Sequence, residues 1–452
     1  MGIVMNTKHI LIILAFFSFQ LMAEKFDFDG MRYRGETVKE YKIDEKGSLV
    51  MENIRGDIKI IGEARNNIQV TERYSINAYS ESDAENIYSD YRAKYILKGN
   101  ALLIKGENDS KRYQSDFTIQ IPSNFNLDIS ASGGDIVTET VIGVIEVKTS
   151  GGDIDILETR GKLTINTSGG DINIRKADAD INATTSGGDI SLDQISGKLY
   201  SKTSGGDISV KEFKGDGEVR SSGGDIYISD IKGKYFEGST SGGDIGADNI
   251  ETEINLSTSG GDISIGKTSS HVRLHTSGGD IDIDEVGGNL DASTSGGNID
   301  VNRVNGYCIL STSGGDIEIE FARDKVRATT SGGDIYMPSV YGAVYAHTSG
   351  GDIEMQKIIE KSIKDNTIDL STSGGDIILS LPDNVKADVF AQITVYNKWD
   401  KSEIRSDFPL DISKEKRGSK LVITGRGSIN GGGEAITLKT SGGDIKIDRL
   451  MQ

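Results

Sequence analysis

One cysteine, one tryptophan and four prolines are spread over 452 residues. The single thiol, Cys308, excludes an intramolecular disulfide, so packing and hydrogen bonding alone must hold the fold together. So few prolines and no Gly-X-Y period exclude collagen, and regularly spaced Ile, Val and Leu exclude wholesale disorder. Basic residues are also short: 50 Lys+Arg stand against 69 Asp+Glu, a formal net charge of -19. Such a surface repels nucleic acid and anionic lipid and attracts cations. After the N-terminal apolar stretch, no run approaches the roughly 18 apolar residues that a membrane helix needs, so no transmembrane span is expected.

What is present in excess is glycine, and the excess is a repeat. Of 57 glycines, 30 belong to 15 copies of Ser-Gly-Gly, each followed by Asp or, once, by Asn298. From Asp135 to Asp376 this residue recurs every 18 positions, with one interval of 19 and one of 24, and it returns at Asp444 after 68. A fixed period over so many copies signals a solenoid in which each unit contacts only its neighbours.

With the Asp as position 1, the unit reads Asp-Ile-x-Ile-x-x-Val-x-Gly-x-Leu-x-Ala-x-Thr-Ser-Gly-Gly. Apolar positions 2 and 4 are in phase, as are 11, 13 and 15, and each set reads as a strand with one buried face. The phase slips across Ser-Gly-Gly-Asp and again at positions 5 and 6, so the chain turns there, and Gly at 9 marks a third corner. Glycine suits the first corner because it tolerates positive φ and close chain approach. A helix fails on both counts: Gly-Gly destabilises helix interiors, and the apolar period is wrong. One coil alone buries too little to offset its ordering entropy, so stacking is obligatory and the ends need caps. With rungs about 4.8 Å apart, the steps from Asp135 to Asp376 make a rod of roughly 60 Å.

The expected fold class is therefore all-β: a single-stranded parallel β-helix (β-solenoid) with about 18 residues per coil. Irregular capping coils are expected at both ends, with one short helix beginning near SDAENIYSDY at Ser82. Residues 1–23 read as a signal peptide, with Lys8, an apolar run from Ile10 to about Leu21, and Ala23 at the cleavage point. Residues 24–131 form the N-terminal irregular β and capping region, 132–376 the regular repeats, and 377–452 the C-terminal irregular coils and cap. Within the last, 397–417 reads as a charged excursion with Trp399 and Pro409.

The succession GSLVMENIRGDIKIIG, FTIQIPSNFNLDIS, tandem TSGGDI and SINGGGEAITLKTSGGDIKI resembles the bacterial putative-adhesin family of β-strand-repeat proteins, a domain of unknown function. The resemblance implies a right-handed, single-stranded β-helix, usually exported or membrane-associated. It supplies no catalytic residues.

Stacking puts one Asp above the next, where each adjacent pair repels by about 0.9 kcal/mol in bulk water. The reading preferred here is that each carboxylate accepts backbone N–H bonds at its own Gly-Gly corner, as in an Asx turn, with Ser and Thr forming hydroxyl columns. The alternative is a row of Ca²⁺ ions along the Asp column. Catalysis has no foothold: every carboxylate pair is equivalent, and an active site needs one place unlike the rest. No catalytic residue, cofactor site or metal site is assigned. His275 and His347 lie four coils apart and read as surface residues; Cys308, at position 11, reads as a core hydrophobe. Arg55-Gly56-Asp57 reads as a divergent repeat and not as a receptor motif. Tyr307, Tyr336, Tyr341 and Tyr345, with Arg327 among them, read as ordinary surface or corner residues, with a glycan- or peptide-binding face as the alternative. The functional expectation is an exported β-solenoid, not an enzyme, with a structural or binding role at the cell envelope and an extracellular glycan or protein as partner. A calcium-stabilised surface protein and a polysaccharide-acting β-helix enzyme are the alternatives.

Overall fold

The computed structural model describes residues 26–43, 45–107, 111–396 and 401–450. The expected signal peptide and Trp399 lie outside them. The chain is all-β, 60% strand and 3% helix, and its strands form one long unclosed sheet wound as a β-solenoid. Successive coils pair in parallel at the expected offset: Ile263–Thr268 lies on Ile281–Val286, and Val272–His275 on Leu290–Ser293.

The apolar positions form the core because alternation turns them all inward. In the coil from Asp280, Ile281, Ile283, Val286, Leu290 and Ala292 are all buried. Cys308 sits in the same column, between Leu290 and Val326, where burial pushes its thiol pKa up. Side-chain volume is balanced across columns. Phe213 and Phe236 meet edge to face at 5.8 Å, and a Cβ on Gly217 would run into both rings.

The slip at positions 5 and 6 has a conformational cause. Position 6 is left-handed in seven coils, from Thr140 (φ 59) through Glu158, Lys176, Gln194, Glu212 and Asp230 to Asn249 (φ 54). From Lys267 onward it is not, and position 6 pairs in register from coil to coil. The solenoid therefore has two cross-sections, a difference the sequence period hides.

Close approach, not positive φ, fixes the Gly-Gly corner. Of the fifteen motif pairs only the first includes a left-handed glycine, Gly134 (φ 92). A Cβ on the second glycine of a pair, such as Gly279, would stand far inside van der Waals contact with the Gly261 carbonyl oxygen of the coil before. A Cβ on the first, Gly278, would find its nearest neighbour at an ordinary 3.6 Å.

Both ends finish in antiparallel strands, which removes the open parallel edge. At the N-terminal end Tyr113–Pro122 pairs with Asn67–Ile76, which pairs with Tyr33–Lys42. The expected helix spans Glu81–Tyr91, capped by the Ser80 hydroxyl accepting from the Asp83 N–H, and it buries Ala84, Ile87 and Tyr88. At the other end Ala387–Val395 pairs antiparallel with Lys420–Ile429, itself paired with Asp411–Arg417. Part of the stretch read as a charged excursion is thus an edge strand, exposed at every residue.

The coil of 24 residues holds a lysine where its neighbours hold core aliphatics. Lys357 pairs with Val340, is fully buried, and donates to the carbonyls of Tyr341 (2.5 Å) and Gly342. Burial pushes its pKa down to about 8 from 10.5.

Two outcomes are expected. Gly279→Ala should lower unfolding free energy by more than about 2 kcal/mol in calorimetry or denaturant melts, while Gly278→Ala should stay within about 0.5 kcal/mol of wild type. For Lys357, the unfolded chain binds a proton that the folded chain lacks between about pH 8 and 10.5, so stability rises with pH across that window. Unfolding free energies of wild type and Lys357→Met measured from pH 7 to 10 should diverge in favour of the wild type by about 2 kcal/mol.

Candidate functional site

The motif residues meet along one edge of the solenoid. Each Asp Oδ1 accepts the backbone N–H of the equivalent residue one coil later, as in Asp262 to Asp280 (2.8 Å) and Asp280 to Asn298 (2.7 Å). Asn298 continues the relay through its own Oδ1 to the Asp316 N–H at 2.9 Å. The bonds thus run between coils and not within an Asx turn, which corrects the expectation. The reason is geometric: the tight Gly-Gly approach brings the next coil's N–H within reach of the carboxylate. Except at Asn298, whose amide oxygen is neutral, each bond is charge-assisted and offsets the repulsion between rungs.

The threonines differ from expectation too. At position 15 they are buried singly and bridge coils: Thr294 Oγ1 donates to the Gly279 carbonyl (2.9 Å) and accepts from the Gly297 N–H (3.3 Å). A second relay runs at position 10, where the His271 ring accepts the Asn289 N–H and Asn289 accepts the Tyr307 N–H.

The ladder extends beyond the regular array. The Asp57 carboxylate holds the Asp135 N–H, and the Asp57 N–H in turn binds Asp116. Arg55-Gly56-Asp57 is accordingly a rung, its Asp committed on both sides. Asp116 was missed in sequence, although SDFTIQI carries the Asp and the two apolar positions of the unit. At the far end the Asp444 N–H bonds directly to Asp376 across the 68-residue interval.

The remaining candidates separate. His275 and His347 lie on strands four coil steps apart, bonded to Ser293 and Ser371. Arg327 and Tyr345 do meet, with the guanidinium 4.7 Å from the ring centroid, while Tyr307 stands in the position-10 relay. Tyr336 belongs to the other strand row. Among the described residues no three His, Cys, Asp or Glu side chains converge to hold a metal ion.

One place unlike the rest lies where position 6 has become extended. Lys267, Glu285, Arg303 and Phe321 stand in register on successive coils. They line an open groove of about 670 Å³ with Asp284, Asn302, Glu320 and Ser339. The Arg303 guanidinium lies 3.9 Å over the Phe321 ring, which packs on Tyr341 at 5.2 Å, so planar groups form a platform across adjacent coils. Beside it stand Asp282, Asp300 and Glu318 at position 3. Partial burial, then repulsion from neighbouring carboxylates, raises the pKa of Asp282 and Asp300. At Glu318 partial burial again leads, followed by a side-chain hydrogen bond with Glu320. The arrangement offers stacked planar side chains among hydrogen-bond acceptors and cations, which suits a hydroxyl-rich ligand. The only sequence signal was the position-6 column read down the coils, since no single coil contains the platform.

The ladder itself is testable. Asp280→Ala should cost about 1–2 kcal/mol of unfolding free energy, whereas Asp280→Asn, which keeps the acceptor and sheds a charge, should stay within about 0.5 kcal/mol. Melting temperatures in calcium and in chelator should agree within about 1 °C, because an ion bound only to the folded state must raise the midpoint.

No curated protein matches the chain. Among solved structures it is similar to a putative adhesin from Bacteroides fragilis, at 18% identity and TM-score 0.24 over 58% of this chain and 95% of that one. It is also similar to a putative adhesin from Parabacteroides distasonis, at 11% identity and TM-score 0.19 over 74% and 97%. At these values nothing about function transfers. The family comparison is more direct and covers eight of the regular coils' ladder residues, Asp207 to Asp334 with Asn298 among them. Residues 193–339 match the family model Toastrack DUF4097, a domain of unknown function, in agreement with the putative-adhesin resemblance that the TSGGDI repeats carry.

Proposed function

We propose that this protein is an exported binding rod of the cell envelope, whose ligand is an extracellular glycan held in the position-6 groove. The observation that carries the reading is the Arg303–Phe321–Tyr341 platform beside a row of carboxylates. Aromatic faces stack on the apolar faces of sugar rings, and carboxylates accept their hydroxyl protons. Because the groove follows the coil axis, it suits a polymer strand better than an isolated small molecule. Export is supported by the basic and apolar segment of residues 1–23, and among the described residues no helix is long and apolar enough to cross a membrane.

A second reading rests on one specific observation. Asp282, Asp300 and Glu318 occupy adjacent rungs with raised pKa values, and neighbouring carboxyls of unequal acidity are the equipment of glycoside hydrolysis. The binding reading is favoured because the three sit in one register row with no distinct acid and base sides.

On a glycan array of neutral and acidic oligosaccharides, the wild-type protein should bind a defined subset. The Arg303→Ala/Phe321→Ala variant should weaken those hits by about tenfold or more, equivalent to about 1.4 kcal/mol. Silence from the wild type, or hits indifferent to the double variant, would overturn the assignment. Release of reducing ends from a bound glycan would replace binding by hydrolysis.

A further inference from the structure

The array departs from its period by a single residue once, in the coil between Asp225 and Asp244, and the extra residue falls at the corner Gly233-Lys234-Tyr235. There the Asp216 carboxylate of the preceding coil accepts two backbone N–H groups, from Lys234 (3.1 Å) and Tyr235 (3.3 Å), where other corners bind one. The same corner gathers lysines. Lys198, Lys214, Lys232 and Lys234 surround the glycines Gly197, Gly215 and Gly233 and line an open groove of about 430 Å³.

The local charge balance is opposite to that of the molecule. Of the four ammonium groups only Lys232 has a carboxylate partner among the described residues, Glu251 at 3.0 Å. The corner's carboxylates are engaged by backbone donors and form no ion pair with Lys198, Lys214 or Lys234: Asp180 Oδ1 holds the Lys198 backbone N–H, and Asp216 holds the two just named. The glycines leave the groove floor free of side chains, so an approaching oxyanion meets ammonium groups from three successive coils. On a chain of net charge -19, four lysines gathered at one corner outnumber Asp216, which also lines the groove, and Glu251, which pairs with Lys232, and so leave a local excess of positive charge.

We propose that this corner binds a linear glycan bearing sulfate or phosphate groups, its strand lying along the coil axis across three rungs. The geometry selects a strand over a planar anionic surface. Rungs about 4.8 Å apart place the lysines in a row about 10 Å long, close to the Debye length at physiological ionic strength. A single strand therefore feels the lysines, whereas a membrane surface broad enough to cover the rod also meets its acidic flanks. The site lies in different coils from the position-6 groove and stands independently of it.

The test uses the purified protein and immobilised heparin as the sulfated probe, with neutral dextran and phosphatidylglycerol vesicles as the other arms. Heparin binding that weakens steeply with salt is expected, with no binding to dextran or vesicles. Replacing all four lysines (Lys198→Ala/Lys214→Ala/Lys232→Ala/Lys234→Ala) should raise the heparin Kd at least about tenfold, whereas Lys361→Ala/Lys364→Ala/Lys401→Ala/Lys416→Ala, an equal change of net charge elsewhere, should raise it less than about threefold. Melting temperatures of both variants check that the fold is intact. The Arg303→Ala/Phe321→Ala variant should keep full heparin binding, which separates this site from the glycan groove. Absence of heparin binding, equal losses in the two lysine variants, or vesicle binding as tight as heparin binding would overturn the proposal.

Discussion

Successive coils touch most closely where the second glycine of one motif meets the carbonyl of the equivalent glycine before it, and no side chain fits in that gap. From this contact the rest of the edge follows. The approach brings the Asp N–H within reach of the previous carboxylate and the Thr hydroxyl within reach of the previous Gly carbonyl. Three of the motif residues thus bond across the same seam, and a shift of register by one residue would break all three together. The apolar columns inside the rod are held in line by that seam as much as by their own packing.

The seam also explains how the chain tolerates long interruptions. Asp57 to Asp135 and Asp376 to Asp444 are adjacent rungs although 78 and 68 residues separate them. Each interval leaves and re-enters at a corner and folds into the antiparallel strands that close the end of the stack. Adding residues at a corner preserves the ladder, whereas adding them inside a strand would flip every inward side chain outward. The 24-residue coil follows the same rule but alters the core beneath it. It brings Lys357 into the interior, where the ammonium finds its carbonyl partners, Tyr341 and Gly342, in the coil before. That cation is a local cost to stability, lowest at high pH, where the amine is neutral.

A ladder of equivalent residues gives stiffness but no address. Both candidate sites lie where equivalence fails: the groove, where position 6 abandons the left-handed conformation, and the lysine corner, where one extra residue enters. The two sites differ in chemistry because different columns supply them. Column 6 brings charged and aromatic side chains onto an extended strand; positions 8 and 10 bring lysines onto a corner floored by glycine. The rod between them holds their separation constant, so a ligand engaging both would gain from effective concentration without new contacts.

Much of this was legible in the residues alone. The period located the strands, the alternation gave the buried columns, and Cys308 at position 11 could be placed in the core before any coordinate was known. The short helix was readable at SDAENIYSDY, though its cap, Ser80, was not. Other features were not. Gly-Gly suggested positive φ or close chain approach, yet only neighbouring chains reveal that the constraint is a carbonyl oxygen 18 residues away. Asp116 looked unremarkable because its rung partner, Asp57, precedes it by 59 residues in a coil that stacks out of chain order. Arg303, Phe321 and Tyr341 carry no local pattern, since they meet only through stacking. The sequence by itself determined the period, the faces of the strands and the acidic edge, because these are properties of residues near one another in the chain. Only the tertiary structure decided which distant residues share a rung and where the repeated surface becomes a site, because both depend on contacts one whole coil or more apart.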